Sequence, residues 1–113
     1  MRIAPCSPIP RLIHQTWKTR DVPPEFQALQ RSWIERNPGF EYRFWTDEDI
    51  GRFIAEEHPA LLPVFHGYAD PIARIDLARY LILRRFGGVY ADLDFECLRP
   101  IVGLLEGRSF VVG

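Results

Sequence analysis

Short apolar runs alternate along this chain with segments in which apolar residues recur at helical spacing. The runs RLIHQTW (11–17) and FEYRFW (40–45) predict two β-strands, and shorter strands are predicted at 89–91 and 109–112. Helical segments separate the first three of these runs. Such an alternation is typical of an α/β fold, in which helices pack against a largely parallel sheet.

Capping residues and helix breakers predict where the three longer helices begin and end. The first follows the proline pair at 23–24 and stops at an Asn-Pro-Gly sequence. The TDED sequence of 46–49 has the form of a capping box, which predicts a second helix directly after it. The longest helix is predicted over 71–86, with Asp70 as its N-cap and a Gly-Gly pair after its last turn.

Composition and charge limit the classes of function. The chain has 113 residues, the size of one domain or part of one, and residues 9–113 are expected to form a single unit behind a tail of residues 1–8. The formal charge of −1 excludes broad, nonspecific nucleic-acid binding. No apolar stretch is long enough to cross a bilayer, and Cys6 and Cys97 lack the spacing of a zinc or redox motif. These features predict a cytoplasmic protein with reduced thiols, either free or peripheral at a membrane.

Asp92 and Asp94 directly follow a predicted apolar strand. Side chains at i and i+2 of a strand share a face, and ligands of parallel α/β folds bind beyond the carboxyl ends of the strands. Two carboxylates suit Mg²⁺ or Mn²⁺, which take further ligands from water and from a substrate diphosphate. The alternative is a solvated acidic turn, but the helix, Gly-Gly turn and strand that precede the pair favour a metal site.

Three other side chains could contact a ligand near this pair. Asp76 and Arg79 are three residues apart on the longest predicted helix, so they share one face of it. They could form an intrahelical ion pair or hold the hydroxyls of a sugar, and the spacing fits both. Trp17, at the end of the first predicted strand, could pack on the core or offer a flat face to a nucleotide base.

Three segments together resemble glycosyltransferase family 32, the group of initiating α-1,6-mannosyltransferases and inositol-phosphorylceramide mannosyltransferases. ARIDLARYLILRRFGGVYADLDFECLRP (73–100) looks like the DXD sugar-binding region of that family. IPRLIHQTWK (9–18) is similar to its first strand, and NPGFEYRFWTDED (37–49) to its second strand and the following helix. The combination of D-x-x-R-Y, a Gly-Gly turn and Y-x-D-x-D is specific. Ile75 departs from the pattern, since many members carry Ser there.

The resemblance implies a GT-A, Rossmann-like fold, of which this chain would hold the donor-binding, N-terminal part. It implies a retaining, metal-dependent transfer of a hexose, mannose first, from GDP-mannose or a UDP-hexose to a glycan or lipid acceptor. Asp94 would bind Mn²⁺ or Mg²⁺ directly, whereas Asp92 would contact the ribose or the sugar, or bind the metal through water. Asp76 and Arg79 would hold hydroxyls of the donor sugar, and Trp17 would stack on the base.

Two other functions remain open from the sequence. A truncated or noncatalytic remnant would bind a sugar nucleotide weakly or not at all. A haloacid-dehalogenase-like phosphatase also places a DxD motif after an apolar strand. In such phosphatases, however, the pair usually lies on the first strand and is followed by a small hydroxyl or aliphatic residue. Here the pair comes late in the chain, and Phe95 follows it.

Overall fold

The computed structural model of the chain describes residues 9–101 and the strand Val111–Val112. In this part of the chain, four strands and four α-helices follow one another. They are β1 (Leu12–Thr16), α1 (Pro24–Arg36), β2 (Glu41–Trp45), α2 (Asp47–Glu57), α3 (Leu62–Gly67), α4 (Pro71–Phe86), β3 (Val89–Tyr90) and β4 (Val111–Val112), and a 3₁₀ turn (Pro59–Leu61) precedes α3.

The four strands form one parallel sheet in the order β2-β1-β3-β4. The central strand β1 pairs with β2 along its whole length and with β3 at Ile13 and His14. Because the strands are parallel, their carboxyl ends lie at one edge of the sheet, where ligands bind in folds of this class. The predicted α/β architecture with a parallel sheet is confirmed.

Each face of the sheet has its own core, because successive side chains of a strand point to opposite faces. Ile13 of β1 belongs to the first core, against which Trp33 of α1 packs. The second core is built mainly from α2, α3 and α4. Its buried members are Ile50, Phe53, Ile54, Phe65, Ala78, Leu81 and Ile82.

His14 lies on β1 and ties the sheet to the end of α4. Its Nδ1 accepts from the indole N–H of Trp45 at 3.1 Å, and its Nε2 lies 2.9 Å from the Gly87 carbonyl. An indole N–H can only donate, so the hydrogen of the neutral ring resides on Nε2 and is donated to Gly87. The side chain is fully buried, and both ring nitrogens have a hydrogen-bond partner.

The predicted helix ends are confirmed in atomic detail. Thr46 and Asp49 form the reciprocal capping box of α2, and the Asp70 carboxylate accepts from the Ile72 amide at the start of α4. After α4 the backbone turns through Gly87 (φ 70°) and Gly88 (φ 95°). Both values lie in the left-handed region that favours glycine, so the Gly-Gly pair returns the chain sharply to the sheet.

The main addition to the predicted elements is α3. This helix is not among those predicted from the sequence. It accommodates Pro63 because that residue lies in the first turn, where a missing N–H costs no hydrogen bond. Residues 109 and 110 of the last predicted strand lie outside the described residues, as does Cys6. Cys97 is a buried free thiol. No helix in the described part of the chain is long and apolar enough to cross a bilayer.

Candidate functional site

Asp92 and Asp94 lie in a turn just beyond β3. The strand ends at Tyr90, and the Phe95 amide donates to the Asp92 carbonyl at 3.2 Å, which closes the turn. Leu93, between the two carboxylates, is only 5% exposed, whereas Asp92 is half-buried and Asp94 is exposed. The carboxylates are therefore placed by a turn anchored through Leu93, and not by the face of a strand.

The surroundings of Asp92 disfavour its negative charge, and a bound cation would offset this effect. Burial raises the pKa of Asp92 above its ordinary value, the positive charge of Arg79 lowers it, and the negative charges of Asp94 and Asp76 raise it. Desolvation and like charge both disfavour the ionised form of a carboxyl group. The site thus concentrates negative charge at the carboxyl edge of the sheet.

The pair fits a hard divalent cation as part of a larger coordination shell. Carboxylate oxygens are the ligands that Mg²⁺ and Mn²⁺ prefer. Within residues 9–101 and 111–112, no group of three or more His, Cys, Asp or Glu side chains could hold a metal ion. The two carboxylates would therefore share the ion with oxygens of water and of a phosphate-bearing ligand, as Mg²⁺ commonly requires.

Asp76 and Arg79 lie on α4 next to β3. Arg79 Nη2 donates to the Asp76 carboxylate at 2.7 Å, so the ion pair considered from the spacing is formed. The Arg79 guanidinium also lies 5.3 Å from the centre of the Tyr90 ring, a distance typical of a cation–π contact. Both side chains remain partly accessible, at 26% for Arg79 and 57% for Asp76. The ion pair leaves accessible polar atoms beside Asp92, although sugar binding by this pair stays a prediction.

Trp17 follows the last residue of β1 and is half-buried. Its indole meets the ring of Phe26 edge-on, with ring centres 5.6 Å apart, and Lys18 Nζ lies 5.8 Å from the centre of the indole. Trp17 therefore packs against Phe26 of α1. Stacking on a base stays a prediction.

Sequence reasoning missed the buried polar contacts behind the site, which are made by Gln15, Thr16 and Tyr90. The Tyr90 hydroxyl lies 2.7 Å from the Thr16 hydroxyl, and the Gln15 amide donates to the Asp92 carbonyl at 3.2 Å. The signal was the polar triplet His-Gln-Thr inside a run that otherwise predicts a buried strand. Buried polar side chains need partners, and Thr16 and Gln15 find theirs in and beside β3.

Comparison with known proteins places these residues in a family context. A family model described as the glycosyltransferase sugar-binding region containing a DXD motif matches residues 23–111. Inositol phosphoceramide mannosyltransferase 3 of Schizosaccharomyces pombe is 43% identical over 103 residues, which cover 91% of this chain and 29% of that protein. Mannosyl phosphorylinositol ceramide synthase SUR1 of Saccharomyces cerevisiae is 43% identical over 103 residues, with coverages of 91% and 27%. The chain thus spans less than a third of the length of these relatives, and the resemblance seen in the sequence is confirmed.

A solved structure shows the same fold. The PaToxG glycosyltransferase superimposes with a TM-score of 0.61 over 85% of this chain and 46% of its own, at 22% sequence identity. At this sequence identity, the structural similarity supports an assignment of the fold only. Together with the parallel sheet, it confirms the predicted Rossmann-like, GT-A fold class.

Proposed function

Because the chain belongs to the glycosyltransferase family whose sugar-binding region contains a DXD motif, we propose that it forms the donor-binding part of a retaining, metal-dependent hexosyltransferase. The donor is a nucleotide-diphosphate sugar, either GDP-mannose or a UDP-hexose. Mannose is favoured because the Schizosaccharomyces pombe relative is named a mannosyltransferase. The acceptor is a glycan or a glycolipid, and the ceramide in the names of both fungal relatives favours the lipid.

One observation carries the proposal. Asp92, Asp94, Asp76 and Arg79 come from two different elements, yet their charges converge at the carboxyl edge of the sheet. An isolated acidic turn would not need a cationic side chain beside it, and an isolated ion pair would not need a neighbouring pair of carboxylates. A nucleotide-diphosphate sugar would use both, the carboxylates through a divalent ion bound to its diphosphate and the Asp76–Arg79 pair through its hydroxyls.

The two carboxylates have separate roles in this proposal. Asp94, which is exposed, binds the divalent ion directly, while half-buried Asp92 contacts the ribose or the sugar, or reaches the ion through water. When bound, Mn²⁺ or Mg²⁺ neutralises negative charge that develops on the leaving diphosphate.

Arg79 and Asp76 provide opposite hydrogen-bonding capacity for the sugar. The guanidinium donates in a fixed fork and the carboxylate accepts from hydroxyls. Their 2.7 Å contact keeps the two groups side by side, so one sugar could engage both. Trp17 would offer the accessible part of its half-buried indole to the base.

The family assignment favours this function over the phosphatase alternative. A noncatalytic, sugar-nucleotide-binding role is the second candidate, and it uses the same Asp92 and Asp94 turn without transfer. Cytoplasmic placement, free or at a membrane periphery, stays a prediction from the sequence.

A fluorescence titration of the full chain with GDP and UDP tests donor binding, because Trp17 lies at the proposed base site. We expect saturable quenching by one nucleotide in the presence of Mn²⁺, and at least about tenfold weaker binding after chelation with EDTA, as removal of a metal–phosphate bridge predicts. A folded chain that binds neither nucleotide with Mn²⁺ contradicts the proposal.

Matched aspartate variants separate the site from general charge. Asp94→Asn should weaken Mn²⁺-dependent binding by about tenfold or more without unfolding the chain, since a neutral amide is a poor ligand for a hard cation. Asp21→Asn removes the same charge from an exposed position on the loop before α1 and should bind as the wild type does. Equal affinities in the two variants would remove the support for Asp94 as a ligand.

A further inference from the structure

The DXD turn is supported from inside the sheet by Gln15. This side chain is fully buried in the central strand, where an amide without partners costs free energy. Its Nε2 donates to the main-chain carbonyl of Asp92 at 3.2 Å. The same carbonyl accepts the Phe95 amide at 3.2 Å. Gln15 therefore holds the oxygen atom on which the turn closes.

Tyr42 determines which way the Gln15 amide points. The Tyr42 hydroxyl donates to Gln15 Oε1 at 2.8 Å and itself accepts from Gln30 Nε2 at 3.1 Å. Because Gln30 supplies that second hydrogen bond, the Tyr42 proton is free for Gln15. A flipped amide would set Oε1 of Gln15 against the Asp92 carbonyl, and two acceptors cannot pair. Burial raises the pKa of Tyr42 to about 12, so the hydroxyl remains a donor at neutral pH.

The chain beyond the turn is fixed separately, by α1. The indole N–H of Trp33 donates to the Phe95 carbonyl at 2.9 Å, and the Ser32 hydroxyl accepts the Cys97 amide at 2.8 Å. These contacts hold the exit from the turn. Gln15 acts at its entry, on the residue that carries the first carboxylate.

A divalent ion makes strict demands on such a turn, because its ligands must be held to within about 0.5 Å of a productive geometry. Asp92 and Asp94 occupy positions set by the backbone between them. We propose that Gln15, oriented by Tyr42, is a positioning residue that fixes this backbone in the geometry needed for cation binding. The inference rests on the proposed function, since it assigns the supporting residues of the same site.

Two variants and two measurements test the proposal on the full chain. Gln15→Met keeps the length of the side chain and removes both hydrogen bonds, whereas Tyr42→Phe keeps the amide and removes the group that orients it. In the metal-free chain, ¹⁵N relaxation reports order parameters for the Leu93 and Asp94 amides. We expect a fall from about 0.85 to below about 0.6 in Gln15→Met. Electron paramagnetic resonance of Mn²⁺ in the presence of GDP should show that Gln15→Met binds the ion about tenfold more weakly than the wild type does.

Tyr80→Phe is the matched control for Tyr42→Phe. Tyr80 is 55% exposed on α4, so loss of its hydroxyl should change neither the order parameters nor Mn²⁺ affinity. A merely structural role of Gln15 would lower the free energy of unfolding but leave Mn²⁺ affinity unchanged in the folded variant, and that result overturns the proposal. Unchanged order parameters in Gln15→Met overturn it as well.

The design separates this inference from the proposed function. If the wild-type chain shows no Mn²⁺-dependent binding of GDP or UDP, the metal-dependent function fails, and the order parameters alone decide whether Gln15 fixes the turn. If Gln15→Met does not fold, Tyr42→Phe provides both measurements, with smaller changes expected because the amide remains. Wild-type values in that variant overturn the role assigned to the Tyr42–Gln15 contact.

Discussion

The hydroxyl oxygens of Thr16 and Tyr90 lie 2.7 Å apart in the protein interior, although 74 residues separate them in the chain. Tyr90 is only 2% exposed, and the Arg79 guanidinium lies 5.3 Å from the centre of its ring. The hydrogen bond therefore fixes the ring on which Arg79 rests. Since β1 and β3 pair over only a short register, this contact strengthens their connection where the DXD turn begins.

Removal of the Tyr90 hydroxyl should lower the stability of the chain but should change its ligand affinity little. In Tyr90→Phe the buried Thr16 hydroxyl loses its partner, so the free energy of unfolding should fall by about 1–2 kcal/mol. The aromatic ring stays, so Arg79 keeps its support and nucleotide affinity should change little. Urea denaturation and the fluorescence titration measure the two effects. Tyr80→Phe should stay within about 0.5 kcal/mol of the wild type, and equal losses in both variants would contradict the assigned role of the hydrogen bond.

Arg79→Lys should separate sugar recognition from nucleotide binding. Lysine keeps the positive charge but lacks the planar fork of donors. We expect affinity for GDP-mannose to fall by about tenfold, the value of one charge-assisted hydrogen bond, while affinity for GDP alone is unchanged. Arg84→Lys, an exposed substitution in the last turn of the same helix, is the control. Equal loss of GDP and GDP-mannose affinity would show that Arg79 serves the nucleotide instead.

Local signals predicted the helices well. The bounds of α4 agree with the sequence prediction because Asp70 and the Gly-Gly pair act on their immediate neighbours. The same is true of the Thr46 capping box. Such features depend on residues within one turn of each other, so the chain itself contains all the information they need.

Long-range contacts at the site could not be predicted in the same way. The sequence singles out Asp92 and Asp94 by their spacing, but it does not reveal that Gln15 holds the carbonyl between them, because that contact joins residues 77 positions apart. In the sequence, Tyr42 is only one of several aromatic residues in a predicted strand. Its role in orienting Gln15 depends on the register of β1 against β2. Polar residues inside an apolar strand indicate that such contacts exist, because buried polar side chains need hydrogen-bond partners.

The stability of the chain should depend on the protonation of His14. Burial lowers the folded-state pKa of His14 below its ordinary value of 6.5, and the positive charge of Arg43 lowers it further, while the Gly87 carbonyl and Glu41 raise it by smaller amounts. The unfolded chain therefore binds the proton more tightly than the folded one. The contribution of His14 is complete above pH 6.5 and is lost as the pH falls toward the folded-state pKa, with a slope of up to about 1.4 kcal/mol per pH unit.

Urea denaturation between pH 7 and pH 5 checks this dependence. His14→Gln should be less stable at neutral pH and should show a flatter slope, because the titrating group is gone. His66→Gln changes an exposed histidine and should keep the wild-type slope. Identical slopes in the wild type and His14→Gln would assign the acid sensitivity to other groups.

Gly88→Ala should be among the most damaging single substitutions in the described part of the chain. Gly88 has φ 95°, and an added Cβ would lie 2.6 Å from the Leu12 carbonyl oxygen and 2.7 Å from Leu12 Cβ. Both the backbone conformation and the close approach of β1 exclude a side chain, so we expect a loss of roughly 3 kcal/mol or more. Gly51→Ala is the matched control, since no heavy atom lies within 4 Å of its added Cβ. In the helix α2 that change should stabilise the chain by up to about 1 kcal/mol. Thermal unfolding of both variants measures the difference, and a Gly88→Ala chain as stable as the wild type would show that β3 need not approach β1 this closely.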